Sequence, residues 1–266
     1  MKTNKKINIV MKKIVLLLGF ILLVPFMAKG QVSVVDEKGF VNHFIGLTAG
    51  VGLTSYTGSV SFYADRVDCA PYNFKSKSGF EANFLFGIKA ELRISKYFDF
   101  YASLLYEDRS AKFDNTDYTE YVYVSDQKPF ELADFNQSLD AKINIFSVTP
   151  MLKYRPFDFD FGIVVGPSIA FVISDELDAK ESILQPEELF YQETGGRERT
   201  IYSGEIESKN TLLLDLKFGF SYGIMLTEQI KLSPEIFYVL PLTKVSSEGE
   251  WKISSIEFLV SLSYGF

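Results

Sequence analysis

One cysteine, one histidine and one tryptophan stand in a chain of 266 residues that holds 25 phenylalanines and 15 tyrosines. With Cys69 alone, no internal disulfide can form, and the residue reads as an incidental loop thiol. No glycine-rich phosphate loop, CxxC pair or HExxH helix is present. Beyond the first 30 residues no apolar run approaches the roughly 20 residues of a helical membrane span. Cationic charge is also scarce, with 27 basic residues against 34 acidic ones.

The first 30 residues explain part of that balance. Lys12 and Lys13 precede an apolar run from Ile14 to Phe26 and then Ala28-Lys29-Gly30. A basic start, a short apolar stretch and a small-x-small site describe a secretory signal peptide over residues 1–30, with Met11 as an alternative start and Gln31 as the first mature residue. Gln31 rather than a cysteine directly follows the cleavage site, which argues against a lipoprotein. Removing six lysines leaves 21 basic against 34 acidic residues, a net charge of −13 that disfavours nucleic acid.

What is present is a repeated alternation. In Ser255–Phe266, Ile256, Phe258, Val260, Leu262, Tyr264 and Phe266 share one face, while Glu257, Ser261, Ser263 and Gly265 share the other. A period of two with one apolar and one polar face marks a strand between two different solvents. Seven further segments read the same way: Asn42–Thr54, Phe80–Ile94, Tyr97–Arg109, Ile143–Tyr154, Phe161–Ile173, Leu212–Ile224 and Ile230–Leu240. Each supplies about the 9–11 residues of a tilted membrane strand.

The connections alternate. Those at Ser95-Lys96, Arg155–Asp160 and Thr227-Glu228 are short, whereas those after the first, third and fifth strands run roughly 25 to 40 residues. This is the pattern of an all-β, eight-stranded, up-and-down transmembrane barrel over 31–266, with tight periplasmic turns and long outer loops. A soluble exported barrel is the alternative, but it has no reason to alternate loop lengths. Phe98, Tyr154, Phe161, Tyr222, Tyr264 and Phe266 are placed in a periplasmic aromatic girdle, and Phe80, Tyr106, Phe171, Tyr238 and Trp251 in an outer one. Pro150, Pro167 and Pro234 lie within strands, where they call for bulges or strand ends.

The signal before Gln31, the segment V-T-P-M-L-K-Y-R-P-F at Val148–Phe157 and the terminal S-Y-G-F together resemble the PorT-like family of small outer-membrane barrels. The resemblance implies outer-membrane location and a structural or interaction role, in some members accessory to protein secretion. It implies no cofactor and no catalytic residue. It makes Tyr264 and Phe266 an assembly signal for the barrel assembly machinery, and leaves outer-membrane lipid and other envelope proteins as partners.

The inward face carries Glu81, Lys89, Glu91, Arg93, Asp99, Glu107, Lys153, Asp215, Lys217, Lys231, Glu235 and Glu257. An eight-stranded barrel has room only for its own side chains, so these charges must pair into a structural network. Gly46, Gly50, Gly52, Gly162 and Gly166 make room for the long ones. A small charge-lined channel is the alternative. A lipid-modifying hydrolase would need a histidine near the outer leaflet, yet His43 starts the first strand on the periplasmic side. Asp114-Asn115-Thr116-Asp117 with Glu120 lacks calcium-loop spacing and reads as a solvated loop.

Two local expectations complete the reading. The stretch Ser174–Asn210 should hold a hairpin, turning at Gly195-Gly196 between Leu189–Tyr191 and Thr200–Tyr202. A turn centred on Lys96 should set Arg93 opposite Asp99 in the lumen, so that losing either alone costs more than losing both.

Overall fold

A computed structural model describes residues 43–62, 72–75, 81–122, 130–247 and 250–266. The signal segment, Gln31, Asn42, Cys69 and Phe80 lie outside the described residues. Thirteen strands are defined among them: β1 His43–Thr57, β2 Ser59–Phe62, β3 Tyr72–Lys75, β4 Glu81–Arg93, β5 Phe98–Asp108, β6 Ala111–Val122 and β7 Glu131–Tyr154. There follow β8 Phe161–Gln185, β9 Glu198–Gly204, β10 Leu212–Tyr222, β11 Ile224–Met225, β12 Ile230–Pro241 and β13 Lys252–Gly265.

Eight of these close a ring of antiparallel neighbours, β1-β4-β5-β7-β8-β10-β12-β13 and back to β1. Closure removes the free edge and satisfies every wall strand from both sides. The short turns all lie at one end, together with His43 and the C-terminal Phe266, whose N–H donates to the His43 carbonyl at 3.0 Å. The eight expected strands are these eight.

The prolines behave differently from expectation. Pro150 pairs with Ala102, and Pro167 with Leu216. Between β7 and β8 the ladder lapses from Thr149 to Met151, then resumes at Leu152↔Val165 in the register it had at Val148↔Ile169. The two prolines therefore face each other at one gap in the wall, without a bulge. Pro234 likewise splits the β12 partner into β10 and β11, with register kept from Ser221↔Glu235 to Ile224↔Leu232. Missing donors cost ladder bonds locally, and the side-chain alternation on both faces holds the register.

β7 and β8 run well past the ring. Residues 131–142 of β7 add about 40 Å of strand at roughly 3.3 Å per residue. There they pair with each other and carry β6 and β9 on their flanks, giving a four-stranded sheet, β6-β7-β8-β9, at the long-loop end. The segment read as an acidic loop is thus strand β6, and the side chains of 113–117 lie outside the described residues.

The expected hairpin exists, with its first arm corrected. Its arms are β8 and β9, paired from Leu177↔Gly204 to Ser182↔Glu198. Gly195, at φ 65°, lies in the connection, where Gly195 N–H donates to the Tyr191 carbonyl at 2.8 Å. Leu189 and Tyr191 are not a strand arm. They fold back onto Ala133, Phe135 and Ile183, whose apolar surface would otherwise face water.

The apolar face changes side at the ring's rim. In the wall of β7, Tyr154, Leu152 and Phe146 point outward, while Lys153, Thr149 and Ser147 are buried inside. Above it Ile145, Ile143, Ala141 and Leu139 are buried, and Asn144 and Lys142 face out. In β8 a bulge performs the same change. The pairs Asn144↔Ser174 and Ile145↔Val172 leave Ile173 over, and Leu177, Ala179 and Ile183 then point inward.

Candidate functional site

The ring's interior is layered. At the short-turn end Glu91 receives Lys153 at 3.1 Å and Lys231 at 2.9 Å, and the same lysines reach Asp160 at 2.6 and 3.2 Å. Asp99 receives Arg93 at 3.2 Å and Arg155 at 2.8 Å. Arg155 also donates to the Lys96 carbonyl at 2.9 Å, which ties the end of β7 to the neighbouring β4–β5 turn. Gly162 gives Lys153 its path: a Cβ there would sit 2.5 Å from two Lys153 methylenes.

Midway, Lys89 donates to Glu235 at 2.5 Å, and the Tyr101 hydroxyl donates to the same carboxylate at 2.9 Å. Leu85, Tyr101, Leu105, Met151, Val164, Phe237 and Leu259 pack around this level. The next layer holds Arg109 between Glu107 at 2.8 Å and Asp215 at 2.9 Å, and Lys217 on Glu257 at 2.6 Å. Above it an apolar cluster of Tyr56, Leu139, Ile206, Leu213, Val245, Trp251 and Ile253 closes the long-loop end.

Every inward residue predicted from alternation belongs to these layers except Glu81, which is half-buried at the rim and in no ion pair among the described residues. Sequence reasoning missed Arg109, Arg155 and Asp160. Arg109 has the inward parity of β5 and was legible by that signal. Arg155 continues the odd inward parity of β7 and Asp160 the even inward parity of β8, so both were legible by the same signal once the alternation is carried past the strand ends. Together the interior sets Lys89, Arg93, Arg109, Lys153, Arg155, Lys217 and Lys231 against Glu91, Asp99, Glu107, Asp160, Asp215, Glu235 and Glu257. Seven positive charges meet seven negative ones.

Glu91, Asp99 and Asp160 bring carboxylate oxygens within 4.8 Å of one another, the spacing of a cation site. Four cationic side chains already surround them, so the protein itself supplies the charge that a metal would bring. His43 sits at the short-turn rim opposite Leu92, where its Nδ1 accepts the Arg93 N–H at 3.3 Å. Trp251, expected in an outer girdle, is instead buried against Tyr56 at 6.3 Å, because β13 gives it inward parity. Tyr264 and Phe266 point outward and are exposed.

The outer sheet has a hub of its own. The buried Glu181 of β8 accepts from Tyr118 of β6 at 2.5 Å, Gln137 of β7 at 3.1 Å, Tyr191 of the loop at 2.8 Å and Arg199 of β9 at 2.8 Å. The Arg199 guanidinium lies 4.7 Å from the Tyr191 ring centre. Burial pushes the Glu181 carboxyl up, but these donors and the Arg199 charge outweigh it and hold the group below the usual carboxylate range.

A family model described as outer membrane protein beta-barrel domain matches residues 37–247. Among curated proteins no sequence matches. Solved structures similar to this chain include Neisserial surface protein A (15% identity, TM-score 0.32, covering 84% of this chain and 97% of that one) and OprG of Pseudomonas aeruginosa (12%, 0.33, 85% and 97%). The outer membrane protease OmpT of Escherichia coli is also similar (11%, 0.35, 90% and 100%). These superpositions are loose, and the protease among them says nothing of catalysis here. The closed eight-stranded ring with its outward apolar face, and a family match over most of the length, lead to one conclusion: this chain belongs to the outer membrane protein beta-barrel family and resides in the bacterial outer membrane.

Proposed function

We propose that this protein is a non-enzymatic envelope barrel of the PorT-like kind, whose lumen is a structural plug and whose outer sheet contacts other envelope proteins, in a role accessory to protein secretion. One observation carries the reading: the interior is filled by mutually compensating charges and an apolar cap, while the four-stranded sheet stands clear of the ring. A channel needs open, solvated charge, whereas these lysines and glutamates are spent on one another. A lipid hydrolase needs its histidine near the outer leaflet, and His43 is tied into the periplasmic rim beside Phe266. Tyr264 and Phe266 serve as the signal for the barrel assembly machinery during insertion.

The test is isolation from native outer membrane after in-cell cross-linking. A complex with another envelope protein in fixed proportion supports the reading. Recovery as a solitary barrel overturns it.

A further inference from the structure

At the far tip of the outer sheet the apolar side chains turn outward again. Tyr121 of β6 and Leu132 of β7 are register partners and therefore share a face; they are 70% and 52% exposed. Leu184 of β8, next to the inward Ile183, is 41% exposed. Lower on the same outward face the residues are polar and ion-paired, as in Lys142 with Glu176 and Lys180 with Glu198. An apolar group at the end of a polar surface, about 40 Å of strand beyond the ring, is out of reach of lipid.

The charge around it is one-sided. Residues 111–142 and 173–211 hold 17 acidic against 7 basic residues, a balance of −10. The barrel interior is neutral, so most of the chain's negative charge is concentrated in this sheet and its loops. Glu120, Glu187 and Glu188 beside the tip are exposed.

Resting on the reading of the outer sheet as a contact platform, we infer that the tip formed by Tyr121, Leu132 and Leu184 docks a protein partner whose own apolar contact is ringed by lysine or arginine. The occupant follows from charge. A second copy of this chain would bring another balance of −10 against the first and be repelled. A basic rim is attracted, and an apolar centre removes the exposed tip from water. The Glu181 hub holds the tip on a rigid base, which lowers the ordering cost of binding.

The full-length barrel in zwitterionic nanodiscs tests this, with three synthetic peptides of equal length as probes: alternating Lys and Phe, Lys and Ser, and Glu and Phe. Fluorescence anisotropy, corrected with empty nanodiscs, reads the affinity. The Lys/Phe peptide is expected to bind at least tenfold more tightly than either other peptide, and to weaken as salt rises. The combined substitution Tyr121→Ser and Leu132→Ser, which leaves the charge unchanged, should erase the advantage over Lys/Ser; Leu184→Ser alone should reduce it. Equal binding of Lys/Phe and Lys/Ser, or no effect of the tip substitutions in a barrel that still resists proteolysis, overturns the inference. So does a dimer in sedimentation that the same substitutions abolish. The earlier co-isolation fails or succeeds separately: a native complex that survives the tip substitutions leaves the platform standing and removes only the tip.

Discussion

A buried charge is tolerable only while its partner is present, and Lys217 is the sharpest case. Its ammonium and the Glu257 carboxylate meet at 2.6 Å with side chains 1% and 0% exposed. Their layer also holds Arg109, Glu107 and Asp215, so the two cations already face three carboxylates. Lys217→Met raises that imbalance and should cost about 3–5 kcal/mol, whereas Lys217→Met with Glu257→Leu should cost less than the single change. Urea unfolding from lipid vesicles measures both; a double variant less stable than Lys217→Met contradicts the argument. Arg93 and Asp99 do face each other, but Arg155 makes them a triad and changes the expected cycle. Loss of Arg93 leaves Asp99 paired, so Arg93→Met should cost little in the same assay. Asp99→Leu should cost clearly more, because it strands Arg155 as well as Arg93. Arg155 has the inward parity of Lys153 and was legible to that extent; its bond to Asp99 across the β5–β7 pair was not.

At the scale of the strand, the ring segments were legible because lipid demands an unbroken apolar face, and a closed wall leaves little freedom of register. β4 and β5 end within two residues of where their alternation ends. The upper halves of β7 and β8 were not legible, because the apolar face changes sides at the membrane's edge. β7 does this by changing parity at Phe146 and Ile145, and β8 by the bulge at Ile173. A scan for one continuous apolar face stops there, although the strand does not. The bulge makes a discriminating prediction. Deleting Ile173 alone leaves Ser174 outward and Leu177 inward, so the outer sheet should persist. Deleting Ile173 and Ser174 turns Leu177, Ala179 and Ile183 outward, and residues 177–204 should become protease-sensitive while the ring keeps its heat-modifiable gel mobility. The Glu181 hub adds a dependence on pH. A carboxyl held below its unfolded range contributes stability above that range and loses it as pH falls through the folded value. Protection factors in 177–204, which divide out the intrinsic pH dependence of amide exchange, should therefore stay flat from pH 7 to 5 and fall only in stronger acid. Glu181→Gln should raise exchange at pH 7 by an amount matching about 1–3 kcal/mol and flatten the acid response. A fall in the wild-type protection factors already at pH 6 would contradict the assignment.

Across the whole molecule, charge is sorted by place. The wall's outer face is apolar, the interior is neutral through seven opposed pairs of charges, and the outer sheet carries the acidic excess. The fold class and the inward charges came out of the alternation. The outer sheet's size, its hub and the interior's neutrality required the contacts that bring turn residues and distant strands together. The plugged interior is the claim on which the rest depends, and conductance tests it most directly. Purified barrel inserted in a planar bilayer at 1 M salt should give no current steps above the lipid baseline. Sustained ohmic steps that Lys89→Ala or Glu235→Ala enlarges would contradict it.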